Sequence, residues 1–202
     1  MGDASISQNE IDHLSPLEGG LKRVGDVVGA IVGMIVLSPV FLVIYILLKV
    51  DGTDSVIFRQ ERIGLGGQPF HLLKFRTMHD EVEDTPTLAE ENDTRLTRYG
   101  KYLRRHHLDE LPQLWNVLRG DMSFVGYRPE RQFFINQIIE RNPDYVLLYC
   151  SRPGITSAAA VHNGYTYTID QMLRRLDMDL DYLRHRTLWT DLRIIFETLT
   201  AL

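Results

Sequence analysis

The sequence predicts an α+β protein, mostly helical, with a small β-hairpin and one hydrophobic anchor near the N-terminus. Three observations carry this. Val27 to Leu48 reads VVGAIVGMIVLSPVFLVIYILL, 22 positions without a charge. Two strand-like runs, SVIFRQERI and PFHLLKFRTM, flank GLGG. Beyond them, apolar residues recur at helical spacing in several separate segments.

Taken in order, residues 1–20 hold Asp3, Glu10, Asp12 and Glu18 with no Lys or Arg, the composition of a solvated tail. The uncharged run that follows is long enough to span hydrocarbon as a helix, which needs about 20 residues. It shows no polar face, which argues against the core helix of a soluble domain. No small-residue cleavage site follows it, which argues against a signal peptide. At its centre, Pro39 removes a backbone donor and Ser38 can satisfy a freed carbonyl, so a sharp bend is tolerated in lipid. Lys22 and Arg23 lie before the run and Lys49 after it, so counting positive flanks does not choose a side. A kinked span and a helix–break–helix that leaves by the face it entered both fit.

The hairpin follows, its glycines spaced for a turn and not for a dinucleotide loop, since no helix pattern comes after them. HDEVEDTPTLAEEND, residues 79–93, holds seven acids in fifteen residues and reads as a solvated loop. Residues 95–105 place Arg98, Lys101 and Arg105 near one helix face beside Tyr102, suited to solvent, anionic headgroups or a phosphate. RQFFINQIIERNPDYVLLYC carries Phe134, Ile135, Ile138 and Ile139 at helical spacing and stops near Pro143. IDQMLRRLDMDLDYLRH and LWTDLRIIFETLTAL read as two further amphipathic helices. Core burial is the simpler expectation for the apolar face of the last, and insertion into a membrane interface the alternative.

Composition narrows the function. The chain has 202 residues, 44% hydrophobic, enough for one ordinary core and an appended element. Net charge is −5, and the four tail acids account for all but about −1 of it, so no global field favours nucleic acid. Cys150 is the single cysteine, which excludes an intrachain disulfide and a thiolate metal cluster and fits a reducing compartment.

Chemistry concentrates in RRHHLDELPQLWNVLRGDM, residues 104–122. Asp109 suits a helix N-cap, Pro112 suits the first turn, and Leu111, Leu114, Trp115 and Leu118 form one stripe that ends at Gly120. Capping alone explains this spacing. The arginines add a second meaning: Lys74 and Arg76 in KFRTM, Arg104 and Arg105, Arg128 in GYRPE, and Arg152 in SRPG. Planar guanidinium forks suit phosphate oxygens. One carboxylate could attack phosphorus while the other holds Mg²⁺. Helix-start amides would keep Asp109 ionised, making the two readings compatible. His106 and His107 recede as bases, because an ionised carboxylate nucleophile needs none.

FRQERIG (58–64), KFRTM (74–78), NDTRLTRYGKYLRRHHLDELPQLWNVLRGDMSFVG (92–126), RPE (128–130), RPGIT (152–156) and DLDYLRH…DLRI (179–194) together resemble the monotopic phosphoglycosyl transferases, bacterial enzymes that start surface glycan assembly. The resemblance covers residues 21–202 and looks like the small form, without a multi-span domain before the anchor. It implies transfer of a sugar-1-phosphate from a UDP-sugar to a polyprenol phosphate, such as undecaprenyl phosphate, releasing UMP. Asp109 would be the nucleophile of a covalent phosphosugar intermediate and Glu110 the Mg²⁺ ligand. Arg62, Lys74, Arg76, Arg104, Arg128, Arg152 and Asp179 would bind substrate. Ser38-Pro39 would break a re-entrant helix, with both ends on the cytoplasmic face of the inner membrane. Three parts result: a tail (1–20), the re-entrant helix (21–50) and a cytosolic catalytic domain lying on lipid (51–202).

Two departures bear on donor choice. Tyr127 stands where the family commonly has Pro, and Ser157 and Ala160 occupy a stretch where it often has Gly and Gln. Two other functions compete: a membrane-anchored Mg²⁺ phosphohydrolase of nucleotide sugars, and a silent scaffold for glycan enzymes. Loss of the acid pair would favour the scaffold, and the pair is intact.

Overall fold

The structure, a computed structural model, describes residues 11–12, 14–53, 55–78, 95–163 and 168–201. Stretch 79–93 and the first ten residues of the expected tail lie outside the described residues. The described elements are α1 (Pro16–Val36), α2 (Ser38–Val50), β1 (Ile57–Ile63), β2 (Pro69–Phe75), α3 (Arg98–Arg105), α4 (Gln113–Arg119), β3 (Ser123–Val125), α5 (Gln132–Arg141), β4 (Gly154–Thr156), α6 (Ala158–Asn163), α7 (Ile169–His185) and α8 (Leu188–Ala201). The α+β reading holds: helices dominate, with one antiparallel pair (β1, β2) and one short parallel pair (β3, β4).

Helix α1 begins at Pro16 because Ser15 and Glu18 form a capping box, each side chain taking the other's backbone amide. Ile11, just before it, is fully buried, and Asp12 pairs with Arg186, so this end of the expected tail is part of the fold. At Leu37 the chain bends, and α2 leaves at 60° to α1. Pro39 sits in the first turn of α2, where its missing N–H costs little but α1 cannot continue through it. Ser38 Oγ donates to the Ile35 carbonyl at 2.8 Å, the satisfaction expected of a serine beside that proline. No single described helix is long and apolar enough to cross a membrane; only the bent pair together has the length and composition.

One face of α1 belongs to the protein. Lys22 donates to the Val125 carbonyl at 3.1 Å and pairs with Asp191, while Asp26 accepts the Phe124 amide at 3.1 Å. Arg23 donates to the Val117 and Leu118 carbonyls, at 2.6 and 2.9 Å, near the end of α4. These charges could not report membrane orientation, because they hold the helix to its own domain. Gly29 permits the close approach: a Cβ there would stand 2.8 Å from the Phe124 ring.

The hairpin pairs Ile57 with Phe75 through Ile63 with Pro69, turning through Gly66 and Gly67 at positive φ. Alternation puts its two faces against different partners. Phe75 packs on Phe41 of α2, with ring centroids 5.5 Å apart, whereas Leu72 joins Ala30 of α1 with Val117 and Met122. The largest core gathers α5, the 3₁₀ stretch Pro143–Cys150, α7 and part of α8 around Tyr127, Ile135, Leu148, Leu176 and Leu183. The expected helix stop near Pro143 is observed, with Asn142 capping the next segment.

Helix α8 corrects the core expectation. Ile194 is buried, but Trp189, Leu192, Phe196 and Leu199 are 59–75% exposed and form a stripe at helical spacing. Lys22, Tyr182 and Thr156 hold the opposite side of the helix through Asp191 and Thr198, which fixes that stripe outward.

Candidate active site

The acid pair sits in a turn, not at a helix cap. After α3 the chain reverses at His107, the single described non-glycine with positive φ (53°), a region in which His is enriched. A 3₁₀ turn, Leu108–Glu110, follows, anchored by Leu108 and Leu111 against Phe75 and Phe41. Pro112 is the N-cap of α4 and no side chain caps that helix. The N-cap expected of Asp109 is therefore not observed: the helix starts three residues later, and Pro112, expected inside the first turn, takes the N-cap position. Gly120 closes α4 at φ 97°, as its spacing indicated.

Asp109 is 5% exposed. Lys74, near the end of β2, donates to Glu110 Oε1 at 2.6 Å and stands 4.0 Å from Asp109 Oδ2. Arg128 reaches Glu110 Oε1 at 3.7 Å from a loop. Arg104 acts on Asp109 through space while its guanidinium holds Thr77 Oγ1 at 2.9 Å. Residues from three separate segments thus converge on two adjacent carboxylates.

Their environments separate the two acids. Burial alone would raise the Glu110 carboxyl, but Lys74 and Arg128 outweigh it and hold the group at about 2. For Asp109, burial prevails: its carboxyl is raised, with the Glu110 charge adding to the effect and Lys74 and Arg104 opposing it. The expected ionising influence, helix amides and dipole, gives way to discrete cations, because the pair precedes a short uncapped helix. Among the described residues no group of three or more His, Cys, Asp or Glu side chains forms a metal cage. One or two carboxylates suffice for Mg²⁺ when substrate phosphates and water complete the shell. Glu110, held ionised beside Lys74 and Arg128, fits that role by its charge.

Asn116, fully buried, is the residue that sequence reading passed over. Its Oδ1 accepts the Leu73 amide at 3.0 Å, and its Nδ2 donates to the His71 carbonyl at 2.7 Å and to Asp121 at 3.1 Å. It thereby fastens α4 to the open edge of β2, one residue from Lys74. Asn116 lies off the Leu111, Leu114, Trp115 and Leu118 stripe, so the apolar spacing gave no signal for it, and the structure buries it while leaving Trp115 half exposed.

The remaining basic residues divide. Arg76 lies over the Phe58 ring, 5.9 Å from its centroid. Arg62 borders the same cleft as Lys74 and Arg128, but its guanidinium is committed to Gln60, the Pro129 carbonyl and Glu130. Arg152 donates to the Gly120 carbonyl, beside Arg23 and Asp26, at the far end of α4, about 10 Å of helix from the acid pair. Asp179, 2% exposed, lies behind the Arg128 loop and accepts the Arg128 backbone amide. Of the divergent positions, Tyr127 is fully buried, and Ser157 caps α6 by accepting the Ala160 amide at 2.9 Å.

The family described as bacterial sugar transferase matches residues 17–202. A UDP-glucose:undecaprenyl-phosphate glucose-1-phosphate transferase of Caulobacter vibrioides is 43% identical over 185 residues, 90% of this chain and 69% of that protein. A UDP-N-acetylgalactosamine-undecaprenyl-phosphate N-acetylgalactosaminephosphotransferase of Aeromonas hydrophila is 35% identical, covering 98% of this chain and 47% of the relative. A UDP-glucose:undecaprenyl-phosphate glucose-1-phosphate transferase of Escherichia coli is 40% identical, covering 91% and 41%. The chain thus spans less than half the length of two of these three relatives.

Two outcomes follow from the geometry. Asn116→Leu should destabilise the protein by about 1–3 kcal/mol, because the part-buried Leu73 amide and His71 carbonyl lose their partner; chemical unfolding in detergent measures this. Lys74→Met should raise the Glu110 titration above its value of about 2, because burial is then opposed by Arg128 and His107 without the lysine, read by carboxyl-carbon NMR. The wild-type pair stabilises fully above about pH 4.5 and loses that contribution as pH falls through about 2. In Lys74→Met that contribution should shrink, since Arg128 alone among the described residues remains within ion-pair range of Glu110.

Proposed function

The chain belongs to the bacterial sugar transferase family, and we propose that it transfers a sugar-1-phosphate from a UDP-sugar to a polyprenol phosphate, releasing UMP. The observation that carries this reading is Lys74 seated between the half-buried Glu110 and the buried Asp109, 2.6 Å from the first and 4.0 Å from the second. The relatives' names give the donor and acceptor classes, and they differ in the sugar.

An Asp109 oxygen attacks the sugar-bearing phosphorus, the bond to UMP breaks, and its electron pair leaves with UMP. A polyprenol phosphate oxygen then attacks the same phosphorus and frees the Asp109 carboxylate. Lys74, Arg104 and Arg128 supply the positive field for the equatorial oxygens in both steps. Mg²⁺, held by Glu110, would when bound neutralise donor phosphates and cancel the repulsion between the carboxylates. Leu108 and Leu111 hold the turn in place, and Asn116 holds Lys74 against it.

The bent helix pair dips into the cytoplasmic membrane and returns to the cytosolic face. Its outward side exposes Leu17, Val24, Val28, Ile35, Leu42 and Ile46, each more than half exposed. The α8 stripe supplies a second apolar face suited to the interface.

Asp109→Asn should abolish UMP release with every donor while leaving the fold intact, since the amide matches the neutral acid that burial favours. The assay uses polyprenol phosphate, Mg²⁺ and a panel of UDP-sugars, and a near wild-type rate would overturn the nucleophile. UMP release without acceptor at the full turnover rate would point to hydrolysis instead. For the anchor, tags at both termini should stay protected from an impermeant label in intact cells; labelling of either tag contradicts a re-entrant path.

A further inference from the structure

The loop that brings Arg128 to Glu110 is tied down at every residue from Gly126 to Glu130. Gly126 donates its amide to the Thr156 carbonyl at 3.1 Å, and the Tyr127 carbonyl accepts the Gly154 amide at 2.9 Å. The Arg128 amide goes to the Asp179 carboxylate. The Pro129 carbonyl accepts from Arg62 at 2.9 Å, and the Glu130 carbonyl from the Ile63 amide at 3.1 Å. Finally the Glu130 carboxylate is held by Arg62, at 3.0 Å, and by Arg175.

Two of these ties come from one helix. Arg175 and Asp179 are four residues apart on α7, so they share a face one turn apart. Both are nearly inaccessible, at 5% and 2% exposure. The charges that act on the acid pair are those of Lys74, Arg104, Arg128 and His107. Helix α7 reaches the pair through the loop. The Arg128 side chain, in contrast, is 36% exposed beside the cleft.

We infer that Asp179 and Arg175 are positioning residues: they fix the Arg128 loop from behind, so that its guanidinium is preset against Glu110 and the diphosphate. Asp179 therefore serves the reaction without touching substrate. Burial of this kind is costly. Desolvation pushes the Asp179 carboxyl up to about 7 despite Arg175 and the Arg128 amide, so the ionised group opposes folding where it stands. A costly buried acid that touches a loop bearing a cation of the site fits a role in preorganisation. Misplacing a positioning group by about 1 Å can cost about 100-fold in rate.

The activity arm rests on the proposed transfer reaction; the structural arm does not. Asp179→Leu should lower kcat for UMP release about 10- to 100-fold, and Asp179→Asn, which keeps a carbonyl acceptor for the Arg128 amide, should restore most of that loss. In an Arg128→Ala background, Asp179→Leu should cost no further kcat, because the group it positions is gone. Additive losses, or an Asn variant as impaired as Leu, overturn the inference. Hydrogen exchange of the 126–130 peptide gives the independent readout: Asp179→Leu should speed exchange at the Arg128 amide about tenfold or more, and unchanged protection overturns the clamp. If Asp179→Leu does not fold, Arg175→Gln and Asp179→Asn carry the same comparison. Absence of UMP release from the wild type would defeat the transfer reading, and the exchange data would still decide the clamp.

Discussion

The open edge of β2 ordinarily calls for another strand, since its amides and carbonyls have no partner on that side. Here the side chain of Asn116 does that work, taking the Leu73 amide and the His71 carbonyl as a strand neighbour would. Because Asn116 is rooted in α4, the helix is locked in register with the strand. Lys74 follows Leu73, and alternation turns it to the other face, toward the turn that immediately precedes α4. The short Lys74–Glu110 contact is thus inherited from a hydrogen-bonded register, not found by two flexible side chains. Removing the amide would loosen the distance on which the acid pair's charge depends.

A second constraint joins the apolar anchor to the same helix. Arg23 of α1 sits on the last carbonyls of α4, where a cation complements the negative end of the helix. Asp26 takes the Phe124 amide, and Lys22 reaches α8 through Asp191. Helix α4 is consequently held at one end by the anchor and along its side by β2. The bend at Leu37 then sends α2 across the hairpin's other face, with Phe41 against Phe75. The bent apolar helix pair and the acid turn share one packing unit, so the angle of the one and the pose of the other are set together.

Much of this was legible in the sequence where a local rule decides it. The hairpin, the Ser38-Pro39 break, the helices at 132–141 and 169–185, and the glycine stop after Arg119 all follow from turn chemistry or period. What was missed depends on contacts distant in the chain. Asp109 looks like a cap because Asp before a proline and an apolar stripe usually is one; the left-handed His107 moves the helix start past it. Lys22 and Arg23 look like membrane flanks until Val117 and Val125 are brought beside them. The outward face of α8 could not be told from an inward one, since the period fixes that a stripe exists and not which side is covered. Arg62 and Arg152 carry the same fork as Arg128, and only folding shows two of the three committed to backbone carbonyls.

The acid pair shows why neighbours of identical charge need not share a role. Lys74 is 1.4 Å nearer to Glu110 than to Asp109, and Arg128 adds to the same side. Glu110 therefore stays ionised, held at about 2, while burial and the Glu110 charge favour the proton on Asp109. Environments that push two titratable groups apart assign their work. Glu110 is the standing anion, suited to hold cations, and Asp109 is the conditional one. Burial opposes the Asp109 charge while Lys74 and Arg104 support it, so that charge rests on the cations the fold brings beside it.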